Sequence, residues 1–304
     1  MRHFVSLNDF RSDELHDILD LAVTIKQELR QEVRKPRLSG KMLAMIFEKQ
    51  SLRTRVSFET GMFQLGGSAM FLSSEVGFGK REATKDFSQV LSSMVDFIMF
   101  RAMKHQSVLE LARHSTCPVI NGLTDQEHPC QAMADYMTMQ ETFGHLDGLK
   151  IAWVGDANNV AASLLHGAAK FGATFAIASP KGYDFDENRI RQLIGDSQAK
   201  GFRFETSNDP VKAVKDAHVV TTDVWVSMGQ EAEEAERKPI FSPYQVNEAL
   251  MSHAREDAIF LHCLPARRGL EVTDEVIDSP QSRIVQQAEN RLHAQKGILV
   301  WLNK

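Results

Sequence analysis

A chain of 304 residues with a formal net charge of −5, 43% hydrophobic and 25% charged residues has the composition of a globular protein, with no general attraction for nucleic acid or an anionic membrane. Any anion it binds must be held by local arginines, so small-molecule partners are expected. Three widely spaced cysteines, Cys117, Cys130 and Cys263, argue against a disulfide framework. With no apolar leader and no membrane-length apolar run, the expected location is cytoplasmic.

The first predicted element is an amphipathic helix: Ser12 reads as its N-cap, and Leu15, Ile18, Leu19, Ala22, Ile25 and Leu29 follow the spacing of one buried face. Beyond Pro36 and Gly40, the apolar run Met42 to Phe47 predicts a strand, then a polar loop and a helix that stops at Gly66-Gly67. Apolar runs at Ala69 to Leu72, Phe97 to Phe100 and Pro118 to Ile120 alternate with helical segments around Asp86 to Met94 and Ser107 to His114. That rhythm predicts a parallel sheet. A long helix is expected over Gln131 to Thr142, and after Gly144 to Gly148 a second rhythm opens with Ile151 to Val154.

In the second half, Phe175 to Ala178, Phe202 to Glu205, Val219 to Thr222 and Ile259 to His262 read as buried strands, with helices at Val160 to Phe171 and Pro243 to His253. The stretch Gln286 to Leu302 is helical in composition and is expected to pack back on the first half. The fold class is therefore α/β, with two domains, each a parallel β-sheet flanked by helices, joined by long interdomain helices. Residues 1–146 with 287–304 make one domain and 147–286 the other.

Five clusters carry chemistry. The loop Glu48-Lys49-Gln50-Ser51-Leu52-Arg53-Thr54-Arg55 lies between a strand and a helix, where free N–H groups, an arginine fork and two hydroxyls suit a phosphate. A capped, solvated helix start reads equally well on local sequence. His128-Pro129-Cys130-Gln131 sets a ring donor and an amide three apart at the opening of a helix, although a histidine beside a proline is more often a cap or a core residue. Asp223-Val224-Trp225-Val226-Ser227-Met228-Gly229 and His262-Cys263-Leu264-Pro265-Ala266-Arg267-Arg268-Gly269 both follow strands, at the sheet ends where open α/β enzymes place ligands. A thiol nucleophile needs a base, and His262 alternates to the opposite side of the strand, so Cys263 reads as a substrate contact. The fifth cluster, Gln286 to Gln295, places Arg291 on a polar helical turn that alone reads as a solvated face.

Gly155-Asp156-Ala157-Asn158-Asn159 lacks the GxGxxG pattern, which argues against nicotinamide binding. Neither a P-loop nor a zinc-ligand spacing is present, so neither an NTPase nor a metalloenzyme is indicated.

In this order the five clusters resemble the aspartate/ornithine carbamoyltransferase family from the first helix to the last. Phe47 to Glu59 looks like its Ser-Thr-Arg-Thr phosphate loop, and His128 to Gln131 matches its HPxQ element. Asp223 to Gly229 and His262 to Pro265 are similar to the elements that distinguish the ornithine branch. The resemblance implies a carbamoyl-phosphate-binding domain at 1–146 and an ornithine-binding domain at 147–286. It implies that Ser51, Leu52, Arg53 and Thr54 hold the phosphate and that Arg101, His128 and Gln131 face the carbamoyl end, with Arg291 completing the anion site. It places Cys263 and Leu264 near the transferring group, and Asn159, Asp223, Ser227 and Met228 around ornithine. Arg101, His128, Gln131, Cys263 and Arg291 are thus the expected catalytic set, with carbamoyl phosphate and L-ornithine as substrates and no metal or organic cofactor.

Two positions depart from the family pattern. Leu52 stands where the loop has threonine, removing a hydroxyl worth about 0.5–1.5 kcal/mol. Gly77 stands where the ornithine branch has a glutamine, in a segment that in the family reaches a neighbouring subunit; Lys80, where the aspartate branch has a lysine, is the expected substitute. The family implies a homotrimer or a multiple of trimers. A related amine, such as N-acylornithine or putrescine, or a catalytically silent relative, are the competing expectations. Attack by a neutral amine implies activity that rises toward alkaline pH.

Overall fold

The computed structural model describes residues 1–195, 198–226 and 231–304 and arranges nine strands in two sheets. In the first, β1 (Met42–Phe47), β2 (Ser68–Leu72), β3 (Phe97–Arg101) and β4 (Val119–Leu123) run parallel in the order β2-β1-β3-β4. In the second, β5 (Lys150–Val154), β6 (Thr174–Ala178), β7 (Arg203–Ser207), β8 (Val219–Thr222) and β9 (Ile259–His262) run parallel in the order β7-β6-β5-β8-β9. Parallel neighbours need long crossovers, which the intervening helices supply. Inner strands covered on both faces read as continuous apolar runs, as in β1, β3 and β6.

Two compact units result, Met1–Ala134 with Glu289–Lys304, and Asp135–Ala288. The division falls within the Pro129–Phe143 helix, upstream of the Gly144 to Gly148 stretch. Within the first unit, Gly297 of the terminal Ile284–Leu302 helix lies so close to the opening helix that an added Cβ would come within 2.7 Å of the Ile18 carbonyl. Lys26 Nζ, buried on the same opening helix, donates to Asn290 Oδ1 at 2.6 Å.

Three sequence expectations are corrected. The opening helix begins at Ser12, with Arg11 rather than Ser12 in the cap position, because the Glu14 carboxylate accepts the Arg11 N–H at 2.9 Å. β7 is an edge strand with Arg203, Glu205 and Thr206 exposed, not a buried one. The continuous helix expected from Pro243 to His253 is broken into a short turn, Ser242–Tyr244, and a helix, Glu248–Met251. Between them Gln245 Nε2 donates to the carbonyls of Gly269 and Leu270, Val246 N–H donates to the Glu271 carbonyl, and Asn247 caps the second helix. These bonds favour extended backbone over the helical pattern.

Each sheet contains one reversal of strand order, between β1 and β3 and between β5 and β8. Crevices at such reversals, beyond the carboxyl ends of the strands, are where open α/β sheets take ligands.

Candidate active site

In the first unit, the loop leaving β1 ends at Ser51, which caps the Leu52–Gln64 helix. Its hydroxyl accepts the Thr54 N–H at 3.4 Å and donates to Thr54 Oγ1 at 3.1 Å. The capped turn presents its N-terminal N–H groups and the positive helix end at the strand terminus, a setting for an anion. Glu48 ties this loop to the one leaving β3, accepting the Met103 N–H at 2.6 Å while its own N–H donates to the Arg101 carbonyl at 3.0 Å.

Arg291 makes the centre of this half. Its guanidinium donates to Thr54 Oγ1 and to Gln131 Oε1, each at 3.0 Å, from a position only 3% exposed. A residue that reads as solvated in sequence is thus buried, because the Ile284–Leu302 helix turns that face toward the Ser51–Thr54 turn and the start of the Pro129–Phe143 helix. His128, just before that helix, is also buried, and its carbonyl accepts the N–H groups of Gln131 and Ala132. Burial, and then the charges of Arg291 and Arg101, hold the His128 imidazole well below the usual histidine range. It is therefore neutral near pH 7, with one ring N–H to donate. Cys130 is a different case: burial pushes its thiol up to about 12 despite Arg291, and its Sγ bonds the Asn121 carbonyl at 3.3 Å. That thiol is structural.

The structure therefore brings Ser51, Thr54, Gln131 and Arg291 together, and His128 lies within the electrostatic reach of both Arg291 and Arg101. Arg53 is half-buried on the same turn. Leu52 projects outward and is 76% exposed. Gly77 adopts φ +71°, and a Cβ there would approach Arg81 Cγ to 2.7 Å, so the backbone at this position favours glycine over a longer side chain. Lys80 is exposed nearby, its N–H donating to the Gly77 carbonyl.

In the second unit, the loops leaving β5, β8 and β9 meet around Asp223. Asn158 caps the Asn159–Phe171 helix through Val160 and Ala161 N–H, and its Nδ2 donates to Asp223 Oδ2 at 2.8 Å. Asp223 Oδ1 accepts the Cys263 thiol at 3.2 Å and the Val224 N–H at 2.8 Å. Asn159, at the helix start beside Asn158, is half-buried. Cys263 pairs with a carboxylate rather than with a histidine: the His262 ring is taken by the Leu264 N–H on Nδ1 at 2.9 Å and by Glu271 Oε1 facing Nε2 at 3.2 Å. Leu264 adopts φ +58° and is followed by a cis Pro265. Ser227 and Met228 lie outside the described residues.

Arg237 braces the same loops. Its guanidinium bonds Asp156 Oδ2, the Trp225 carbonyl and Glu233 Oε2 at 2.8–2.9 Å and lies over the Tyr183 ring. Burial raises the Asp156 carboxyl above the usual range, opposed by Arg237. Potential ligand atoms of Asp223, His262 and Cys263 lie within 4.8 Å of one another. Because both His262 nitrogens are engaged, a metal ion there would have to displace Leu264 or Glu271 from the ring. Sequence reasoning missed Asn158, Arg237 and Glu271. Only Asn158 carried a signal, as an N-cap residue before a helical run.

Residues 2–141 match the family profile described as the aspartate/ornithine carbamoyltransferase carbamoyl-P binding domain, and residues 147–302 match that of its Asp/Orn binding domain. The chain is 53% identical to an ornithine carbamoyltransferase of Anoxybacillus flavithermus, over 99% of this chain and 96% of that one. It is 51% identical to the anabolic ornithine carbamoyltransferase of Pyrococcus furiosus, over 98% of this chain and 95% of that one. The solved structure of ornithine carbamoyltransferase from Pyrococcus furiosus superposes with a TM-score of 0.93, covering 98% of this chain and 96% of that one at 51% identity. An N-acetyl-L-ornithine transcarbamylase structure superposes with a TM-score of 0.88 at 31% identity, covering 99% of this chain and 100% of that one. With two profiles covering nearly the whole sequence and half of all residues shared over full length, the chain belongs to the aspartate/ornithine carbamoyltransferase family.

Proposed function

We propose that this protein transfers the carbamoyl group of carbamoyl phosphate to the side-chain amine of L-ornithine, giving L-citrulline and phosphate, as an enzyme of arginine biosynthesis. The observation that carries this reading is identity of 51–53% over nearly the full chain with relatives named ornithine carbamoyltransferase, one of them named anabolic. The fold also hosts a transcarbamylase named for N-acetyl-L-ornithine, but at only 31% identity.

In this reading the N–H groups of the first helical turn, with Ser51, Arg53 and Thr54, hold the phosphate, and the exposed Leu52 contributes backbone but no hydroxyl. Arg101, His128 and Gln131 face the carbamoyl oxygen, and Arg291 organises them through Thr54 and Gln131. Asn159, Asp223, Ser227 and Met228 take the α-carboxylate and α-amino group of ornithine, while Cys263 and Leu264 lie near the transferring group. The neutral δ-amine attacks the carbamoyl carbon, forming a C–N bond as the C–O bond to phosphate breaks. Negative charge builds on the carbamoyl oxygen, where donors fixed in advance stabilise it. A neutral His128 serves as such a donor and not as a proton source. The amine proton leaves with phosphate, and the rate rises with pH as more of the free amine is present. No metal or organic cofactor enters these steps.

The working assembly in this reading is a homotrimer in the cytoplasm, with Lys80 reaching a neighbouring copy's phosphate in place of the glutamine that Gly77 replaces. Among the described residues no helix is long and apolar enough to cross a membrane. The test is incubation with carbamoyl phosphate and each of ornithine, N-acetylornithine, putrescine and aspartate. Equimolar citrulline and phosphate from ornithine alone is the expected result. Product from another amine instead, or no turnover by folded protein, would replace this reading with a related-amine or a silent one.

A further inference from the structure

Glu271 is fully buried behind the acceptor loops and is not part of the chemistry described above. One of its oxygens, Oε1, accepts the Arg267 N–H at 2.6 Å and faces His262 Nε2 at 3.2 Å. Because His262 Nδ1 accepts the Leu264 N–H, that nitrogen must carry the lone pair, and Nε2 must carry the proton that Glu271 receives. The carboxyl group thereby fixes one tautomer and one ring orientation of His262, and through them the Leu264 backbone beside Cys263. Its other oxygen, Oε2, is buried without a hydrogen-bond partner among the described residues, and so is the indole Nε1 of Trp225. Such pairs call for an explanation, since an unmade buried bond is costly.

Both residues line one small cavity of about 10 Å³, together with Val226, Glu234, Lys238 and Arg267. That volume is close to the smallest that holds a single water, and the residues that carry the unpaired donor and the unpaired acceptor both line it. Trp225 follows Asp223 by two residues, and its carbonyl is held by Arg237. The cavity thus separates the loop that carries Asp223 from the loop that carries Cys263 and Leu264.

We propose that Glu271 is a positioning residue for the amino-acid-binding loops: one oxygen sets the His262–Leu264 backbone, and the other, through one buried water, holds the indole of Trp225. The inference rests on the ornithine reading of these loops. Water bridges of this kind are nearly as good as direct bonds and lock two segments in register.

The test uses the full chain. In a crystal structure, one water lies within hydrogen-bond distance of Trp225 Nε1 and Glu271 Oε2; a dry cavity, or an indole bonded to another residue, overturns the bridge. In kinetics, Glu271→Leu raises the KM for ornithine roughly ten- to hundredfold, while the dissociation constant of carbamoyl phosphate, measured without acceptor, changes far less. Glu271→Gln keeps an acceptor for His262 and Arg267 and restores most of that loss. Trp225→Phe raises the ornithine KM less, and its effect is not multiplicative with that of Glu271→Leu. An unchanged ornithine KM in Glu271→Leu, an equal loss of carbamoyl-phosphate binding, or strictly multiplicative effects would each overturn the proposal. If Glu271→Leu does not fold, Trp225→Phe paired with Glu271→Gln gives the same coupling test. Wild-type protein that makes no citrulline refutes the ornithine reading instead, and the crystallographic result still decides the bridge.

Discussion

Replacing Arg291 with methionine should disable the donor half while leaving a folded protein. The guanidinium makes two bonds at 3.0 Å, to Thr54 Oγ1 and Gln131 Oε1, and it is 3% exposed. Hydrogen bonds from a charged donor contribute about 1.5–3 kcal/mol each, but partners within one network do not add. Thr54 Oγ1 keeps the bond from Ser51, whereas Gln131 loses this donor, so stability should fall by about 1–3 kcal/mol. The chemical cost is larger. Removing one fixed donor from a developing oxyanion typically costs about 3–4 kcal/mol, and Arg291 both adds charge and orients two neighbours. The expected loss in kcat/KM for carbamoyl phosphate is therefore roughly 10²- to 10³-fold. Arg291→Lys keeps the charge without the planar fork and should lose about tenfold. The assay is steady-state kinetics with carbamoyl phosphate varied at saturating ornithine, beside urea unfolding of each variant. If folded Arg291→Met stays within about fivefold of wild type, the placement of Arg291 at the centre of the donor half is wrong.

Other predictions follow from the same geometry. Leu52→Thr restores the family hydroxyl at a position 76% exposed, where water competes for the bond, so the KM for carbamoyl phosphate should fall only about twofold; no change would show the hydroxyl to be irrelevant here. Lys80→Ala should raise the same constant, and an unchanged value would exclude the lysine from a neighbouring site. The His128 imidazole has a folded-state pKa below its unfolded value of about 6.5, so the unfolded chain binds the extra proton first. Its contribution to stability is complete above pH 6.5 and falls by about 1.4 kcal/mol per pH unit as pH drops toward the folded value. In urea titrations His128→Asn should flatten that acid slope, and an unaltered slope would contradict it. At Gly167 an added Cβ would run into the Tyr136 ring, so Gly167→Ala should destabilise by about 3 kcal/mol or more in thermal or urea unfolding.

The sheets were legible because parallel strands covered on both faces read as short, near-continuous apolar runs, as Met42 to Phe47 and Phe97 to Phe100 do. The capped turn at Ser51 was legible for a local reason: a hydroxyl residue that can cap a helix, an arginine and a second hydroxyl fall within four positions, so one helical turn aligns them. Legibility failed where neighbours are distant in sequence. Arg291 lies 237 positions from Thr54, and its polar turn looks solvated until the terminal helix is placed on the first unit. β7 and the segment after Pro243 failed for the converse reason, since exposure and side-chain bonds to Gly269 and Leu270 override a local pattern.

The acceptor half makes the physical point most clearly. Alternation along the strand predicts opposite sides for His262 and Cys263, yet ligand atoms of the two lie within 4.8 Å of each other, and what keeps them apart chemically is that each takes a different partner. Cys263 meets Asp223, forty positions away, and His262 meets Glu271 after the chain has turned through a cis proline. A loop segment without regular structure holds a substrate only if its backbone is fixed, and hydrogen bonds from buried polar side chains fix it more rigidly than apolar packing can. Those side chains need only reach a backbone group, so they can come from anywhere that the fold brings near. The residues expected to touch substrate therefore cluster into short motifs, while those that hold the motifs in place, Asn158, Arg237 and Glu271, are scattered between them. The two positions that read as departures from the family pattern, Leu52 and Gly77, belong to the expected donor side, whereas the expected acceptor side has the supporting bonds of Asn158, Arg237 and Glu271. Selectivity for the amine should accordingly be more robust to substitution at Leu52 or Gly77 than affinity for carbamoyl phosphate is.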